Sequence, residues 1–179
     1  MLQEIAPHIY HNEFQCPAPR DTDLVTVFDG RSALLDGNNY PTIQTLRALG
    51  VPDSDFVFLF TIDSTAFFLL WEVTDAGRGA LAAASVEACR TMDGAYMPLA
   101  GATALHLFRW YKANRFCGCC GAPARRDGKE RAMRCTACNA VVYPSISPAI
   151  VVAIRDGDRI VLTRYADRET PRYALIAGF

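Results

Sequence analysis

No apolar run in this chain of 179 residues is long enough to span a bilayer, and the opening Met1-Leu2-Gln3-Glu4-Ile5 lacks both a basic n-region and an apolar h-region. A membrane-embedded or secreted protein is therefore not expected; a cytoplasmic one is. Net charge is nearly absent as well. Eighteen lysines and arginines against 19 acids leave −1, too little for the molecule as a whole to act as an electrostatic binder of nucleic acid. Internal repeats and low-complexity tracts are missing, which argues against a solenoid or a disordered tail. What is plentiful is apolar: 51% of the residues are hydrophobic, enough for one large domain or two small ones beside a metal module. Seven cysteines in a chain without a secretory signal favour a reducing compartment and metal binding over disulfides.

Four of those cysteines form two Cys-x-x-Cys pairs, Cys117/Cys120 and Cys135/Cys138, separated by a short basic segment. A Cys-x-x-Cys turn aims two thiolates at one point, and two such turns supply the soft tetrahedral set that suits Zn²⁺. The loop between them has the length of a zinc ribbon, in which two small hairpins each carry a pair. Gly121 follows the first pair and Asn139 the second, residues that tolerate the positive φ with which backbone N–H groups turn toward sulfur. Cys119, inside the first knuckle, is a competing ligand; the matched spacing of the pairs favours Cys120. Cys16 and Cys89 read as small, semi-buried residues.

Before the cysteines, residues 1–20 are broken by Pro7, Pro17 and Pro19. Strands are expected at Leu24 to Phe28 and Ser32 to Leu35, a short helix at Thr42 to Leu49 ending at Gly50, and a buried hairpin of Asp55 to Phe60 and Ala66 to Val73 around Asp63-Ser64. Ala80 to Met92 is alanine-rich and reads as a helix, and a second helix runs from Leu99 to about Asn114 after Pro98. After the ribbon, Tyr143 to Pro148 is an extended connector. Ala149 to Ile154 reads as a buried strand, Asp156-Gly157 as a hairpin turn, and Ile160 to Thr163 and Tyr173 to Ile176 as further strands. A β-rich domain thus opens at residue 146 and is unfinished at Phe179, so the sequence looks truncated. The fold class expected is α+β: an N-terminal α/β domain over 1–113, a four-cysteine zinc ribbon over 114–145, and the first strands of an incomplete domain over 146–179.

From Arg115 to Phe179 the chain resembles the NADH pyrophosphatase subfamily of Nudix hydrolases. The resemblance rests on Arg115-Phe116-Cys117-Gly118-Cys119-Cys120-Gly121, Glu130 to Cys138, Tyr143-Pro144, Ser147-Pro148-Ala149 to Ile154, Asp158 to Leu162 and Leu175 to Phe179. It implies a Nudix-like front domain and a Nudix α/β/α catalytic domain begun at residue 146. It further implies hydrolysis of NADH or NAD⁺ to nicotinamide mononucleotide and AMP, removal of NAD caps from RNA, and a homodimer. Catalysis in the family rests on a glutamate-rich motif that holds Mg²⁺ or Mn²⁺, because a pyrophosphate is attacked by water only once divalent metal neutralises its oxygens. Gly178 would be the first glycine of that motif, so every catalytic glutamate falls beyond Phe179, no catalytic residue is expected within the chain, and the chain alone is expected to be inactive.

The resemblance also implies substrate contacts at Glu130, Tyr143, Ala177 and Phe179. For Tyr143 a packing role stays open beside it, and for Glu130 a solvated loop charge. Family members carry a substrate arginine in the Ser85 to Arg90 region; here Glu87 stands at or near that place and Arg90 one turn on, and neither is assigned. Residues 109–134 are basic, with Arg109, Lys112, Arg115, Arg125, Arg126, Lys129, Arg131 and Arg134 against Asp127 and Glu130. Two readings compete. The arginines balance the roughly −2 charge of a zinc–tetrathiolate centre, or they attract RNA phosphates. A zinc-ribbon adaptor for protein or nucleic acid is the alternative to an enzyme.

Overall fold

The computed structural model describes residues 3–30, 32–73, 75–79, 81–167 and 169–178. The chain divides into two compact units, one up to Pro144 and one from Ser145. In the first unit the strands and helices run β1 (Tyr10–His11), β2 (Leu24–Thr26), β3 (Phe28–Asp29), β4 (Ser32–Leu35), α1 (Ile43–Ala48), β5 (Phe56–Ile62), β6 (Thr65–Leu70), α2 (Asp75–Arg78), β7 (Ala82–Ser85), α3 (Met97–Ala113), β8 (Ala124–Arg126), β9 (Met133–Cys135) and β10 (Val141–Val142). The class is α+β.

The centre of this unit is the β5–β6 hairpin, extended on one side by β1 and on the other by β2, which runs parallel to β6. Its strands are apolar on both faces because both are covered. Phe56, Phe58, Phe68 and Leu70 face α1, whose Ile43 and Leu46 are fully buried; Val57, Leu59, Phe67 and Leu69 face α3. Such two-sided burial produces continuous hydrophobic runs in place of alternation. A bulge between Phe58 and Phe60 lets Leu59 and Phe60 both join the α3 side, and Ile62 follows them two residues on. Rings of Phe60 and Phe67 stack at 5.1 Å across the strand pair.

Local chemistry fixes the ends. Thr42 caps α1, its Oγ1 accepting the Thr45 N–H at 3.1 Å, and Gly50 leaves the helix at φ +80°. In α3, Ala100, Gly101, Ala104, Leu107, Phe108 and Tyr111 recur every three or four residues on the buried face. Leu105 is only partly buried. Asn114 closes the helix by donating its amide to the Trp110 carbonyl at 2.7 Å. Asp63 makes the β5–β6 turn at φ +52° and fastens the N-terminal segment: its carboxylate accepts the Ile9 N–H at 2.8 Å and meets His8 Nδ1 at 2.7 Å.

That contact has a pH signature. The Ile9 N–H first, and His8 second, hold the Asp63 carboxyl below its ordinary 3.8. A depressed carboxyl stabilises the fold above its unfolded-state value and ceases to do so as pH falls through the folded value. Asp63→Asn is therefore expected to cost stability at neutral pH, where the carboxylate's contribution is fully present, and to flatten the acid limb below about pH 4, so that variant and parent converge in acid. Urea midpoints measured from pH 2 to pH 7 check this.

Two expectations are corrected. Ala80 to Met92 is not a helix. Ala82 to Ser85 forms β7, paired antiparallel with β4 from Leu35↔Ala82 to Ser32↔Ser85, and Val86–Arg90 is a 3₁₀ turn capped by the Ser85 hydroxyl. The open edge of β4 overrides the helical propensity of three alanines. Ala80 itself lies outside the described residues. The second correction concerns Ala149 to Ile154. A strand forms there, β11 (Ile150–Val152), but it is exposed, with Ile150 at 67%.

β11 belongs to the second unit, with β12 (Arg155–Asp156), β13 (Arg159–Ile160), β14 (Thr163–Arg164), β15 (Tyr173–Ala174) and β16 (Ile176–Gly178). These make three two-stranded antiparallel ladders, β11 with β16, β12 with β13 across Gly157 at φ +55°, and β14 with β15. Among the described residues of this unit no helix packs over them, which is why the apolar strand stays in solvent.

Candidate metal centre

Strands β10, β9 and β8 form a small sheet, and the two knuckles sit at its end. In the first knuckle, Cys117 N–H donates to the Ala122 carbonyl at 2.8 Å and Gly121 N–H to the Cys117 carbonyl at 2.9 Å; in the second, Cys135 N–H donates to the Ala140 carbonyl at 2.9 Å. Gly121 and Asn139 close the turns at φ +75° and φ +60°. Backbone N–H groups then reach the sulfurs. Cys119 donates to Cys117 Sγ at 3.3 Å, Ala137 to Cys135 Sγ at 3.3 Å and Cys138 to Cys135 Sγ at 3.4 Å.

The four thiols at Cys117, Cys120, Cys135 and Cys138 converge, with all ligand atoms within 4.8 Å of one another. Neighbouring sulfurs are 3.5 Å apart in Cys120/Cys135 and Cys120/Cys138 and 3.6 Å apart in Cys117/Cys138. A disulfide needs about 2.05 Å. Tetrahedral zinc with Zn–S of about 2.3 Å needs sulfurs about 3.8 Å apart. The spacing fits the ion. Cys119 is exposed and outside the cluster.

Proton affinities point the same way. The Cys138 and Ala137 N–H groups lower the Cys135 thiol to about 6, and those of Cys120 and Cys119 lower Cys117. The Ala140 N–H favours the Cys138 thiolate, yet the thiols of Cys120, Cys135 and Cys117 outweigh it and push Cys138 up to about 12. Cys120 is raised too, the Ala122 N–H being overcome chiefly by Cys135. Thiolates this close repel one another, and a divalent cation at their centre is what allows all four to ionise. Soft donors occupy every tetrahedral position, so the centre suits a structural Zn²⁺ with no place for a reactive water.

Glu130 and Tyr143 meet each other. The Tyr143 hydroxyl donates to Glu130 Oε1 at 2.8 Å, a bond that raises the Tyr143 hydroxyl's proton affinity. Arg134 lies 3.7 Å from the same carboxylate and donates to Asp127 Oδ2 at 2.7 Å. Ala177 and Gly178 are in β16 of the second unit, opposite Val151 and Ile150. Phe179 lies outside the described residues. Glu87 follows the Ser85 cap in the 3₁₀ turn that also holds Arg90.

Sequence reasoning missed how the ribbon is held. The boundary expected between 113 and 114 is bridged: Met133 of β9 is buried in the same cluster as Phe60, Phe67 and Tyr111. Arg131 donates to the Leu59 carbonyl at the β5 bulge and to Asn12 Oδ1 at 2.7 Å. No local signal announces a contact across 72 residues.

Residues 112–143 match the family model of the NADH pyrophosphatase zinc ribbon domain. The chain is 32% identical over 158 residues to an NAD-capped RNA hydrolase NudC of Pseudomonas fluorescens, covering 86% of this chain and 53% of the relative. It is 35% identical over 133 residues to that of Pseudomonas putida (74% and 45%), and 37% identical over 95 residues to that of Salmonella heidelberg (53% and 37%). The chain spans about half the length, or less, of the curated relatives it matches. With a matched ribbon whose four thiols converge, and relatives aligned well beyond it, the chain belongs to the NADH pyrophosphatase (NudC) family of Nudix hydrolases.

Proposed function

We propose that this sequence serves an NAD(H) pyrophosphatase that also removes NAD caps from RNA. It supplies a Nudix-like front domain over 1–113, a zinc ribbon over 114–145 and the opening strands of the Nudix domain from 146. The observation that carries the reading is the Tyr143–Glu130 hydrogen bond, formed at the end of the ribbon sheet away from the cysteine knuckles. In this reading zinc acts at a distance from the reaction. It sets the β9–β10 geometry, and that geometry presents a phenol and a carboxylate, a donor and an acceptor pair suited to a ribose or nicotinamide amide. Arg134 and Asp127 are positioning residues that orient Glu130. A homodimer in a reducing cytoplasm is part of the same proposal; the reducing compartment fits seven cysteines of which four converge as metal ligands.

Water attack on a pyrophosphate draws on Mg²⁺ or Mn²⁺, which neutralises the phosphate oxygens and acidifies the nucleophile. Among the described residues the only cluster of metal donors is the four thiols, whereas hard cations take clustered oxygens. Residues 1–179 alone are therefore expected to show no Mg²⁺- or Mn²⁺-dependent hydrolysis of NADH. A polypeptide that also carries the family's glutamate motif is expected to release AMP. Chromatographic assay of AMP checks both; turnover by 1–179 above a blank contradicts the proposal.

A further inference from the structure

A cleft of about 840 Å³ in the first unit has no part in the zinc centre. It lies between the β5–β6 sheet and strand β8 of the ribbon, walled by the proline-broken segment from Phe14 to Pro19. Its volume is that of a ligand cleft, and its lining mixes ring faces with guanidinium groups. Trp71 is fixed edge-on by Tyr111 at 5.5 Å and carries the Arg126 guanidinium over its face at 5.1 Å. Phe116, 67% exposed, stands at the same cleft.

The basic segment divides along this line. Arg131 and Arg134 are used internally, on Leu59, Asn12 and Asp127, and Arg115 faces Glu72 at 3.4 Å. No hydrogen bond to a cluster sulfur comes from a basic side chain among the described residues. The two carboxylates at the cleft are neutralised from outside it, Asp53 by Arg47 and Asp127 by Arg134. Arg125 and Arg126 are exposed and have no acidic partner among the described residues. The cleft thus carries net positive charge beside aromatic faces, the combination that holds a phosphate and stacks a base.

We propose that this cleft binds a nucleotide unit of single-stranded RNA, with Arg125 and Arg126, the latter held over Trp71, on phosphate and the exposed Phe116 on a base. The choice of RNA over DNA rests on the capped-RNA reading; the cleft's affinity for a nucleotide does not. The test uses chain 1–179 loaded with zinc and a fluorescent 12-residue oligoadenylate read by anisotropy. Arg125→Glu/Arg126→Glu is expected to weaken binding about tenfold or more and to flatten the dependence of log K on log salt by about 1.4. Lys129→Glu, on the same basic segment but outside the cleft, leaves both unchanged. Arg125→Gln/Arg126→Gln, with zinc content and melting measured, gives a milder loss in the same direction. Three results would overturn the proposal: equal losses in Lys129→Glu, binding of AMP as tight as that of the oligomer, or displacement by polyglutamate as effective as by unlabelled RNA. Absent NADH hydrolysis in the longer polypeptide would count against the pyrophosphatase reading and leave this measurement untouched.

Discussion

Cys135→Ser is expected to lose the zinc and to release the whole ribbon from the front domain. Cys135 is 2% exposed and sits at the end of β9, two residues from Met133, which is built into the main core. Its sulfur receives the Ala137 and Cys138 N–H groups, and its own N–H closes the second knuckle on Ala140. A serine oxygen is a harder, shorter donor that cannot complete the tetrahedron. Binding of structural zinc is worth about 10 kcal/mol or more to small zinc modules, far beyond what a three-stranded sheet of two- and three-residue strands supplies by itself. Elemental analysis should find no zinc in the variant against one per chain in the parent. Limited proteolysis should open the 115–142 region. Cys119→Ser, altering an exposed thiol outside the cluster, should change neither. Zinc retained by Cys135→Ser with an unchanged melt would contradict the assignment of that ligand.

Gly101→Ala should destabilise the first unit by about 1–3 kcal/mol, the usual cost of overpacking, which for a chain of this size lowers the melting temperature by roughly 2–12 °C. An added Cβ at this point of α3 falls well inside contact distance of the Tyr40 hydroxyl oxygen, 2.7 Å from Cys89 Cβ and 3.4 Å from the Cys89 carbonyl. Tyr40 is 2% and Cys89 1% exposed, so neither has solvent to retreat into. Burial also pushes the Tyr40 hydroxyl's proton affinity up. The helical preference of alanine over glycine works the other way by up to about 1 kcal/mol, and the steric effect is expected to win. Tyr40→Phe removes the oxygen that collides first and should recover part of the loss in the Gly101→Ala background. A thermal melt of the two single variants and the double variant measures the coupling; a Gly101→Ala protein as stable as the parent would show that α3 is not seated as described.

What could be read in advance was local. The ribbon was legible because ligand spacing and the positive-φ residues after each knuckle are fixed within a few residues. The β5–β6 hairpin was legible because Phe56 to Ile62 and Thr65 to Leu70 are apolar on both faces around a turn residue. The miss at Ala82 to Ser85 has a physical cause: alanines favour a helix until an unpaired strand edge is offered, and β4 offers one from nearly fifty residues upstream. The exposure of Ile150 to Val152 was misread because an apolar run signals what a strand prefers and says nothing of what covers it. Arg131 looked like one more cation of a basic loop. Its role depends on a bulge in β5 that frees the Leu59 carbonyl, and a bulge within the apolar run Phe56 to Phe60 leaves no mark in the sequence.

X-ray absorption at the zinc edge on purified chain 1–179 tests the metal centre most directly. Four sulfur scatterers at about 2.3 Å, with zinc at one equivalent per chain, is the predicted result. A nitrogen or oxygen shell near 2.0 Å, or a chain purified under reducing conditions that takes up no zinc, would contradict it.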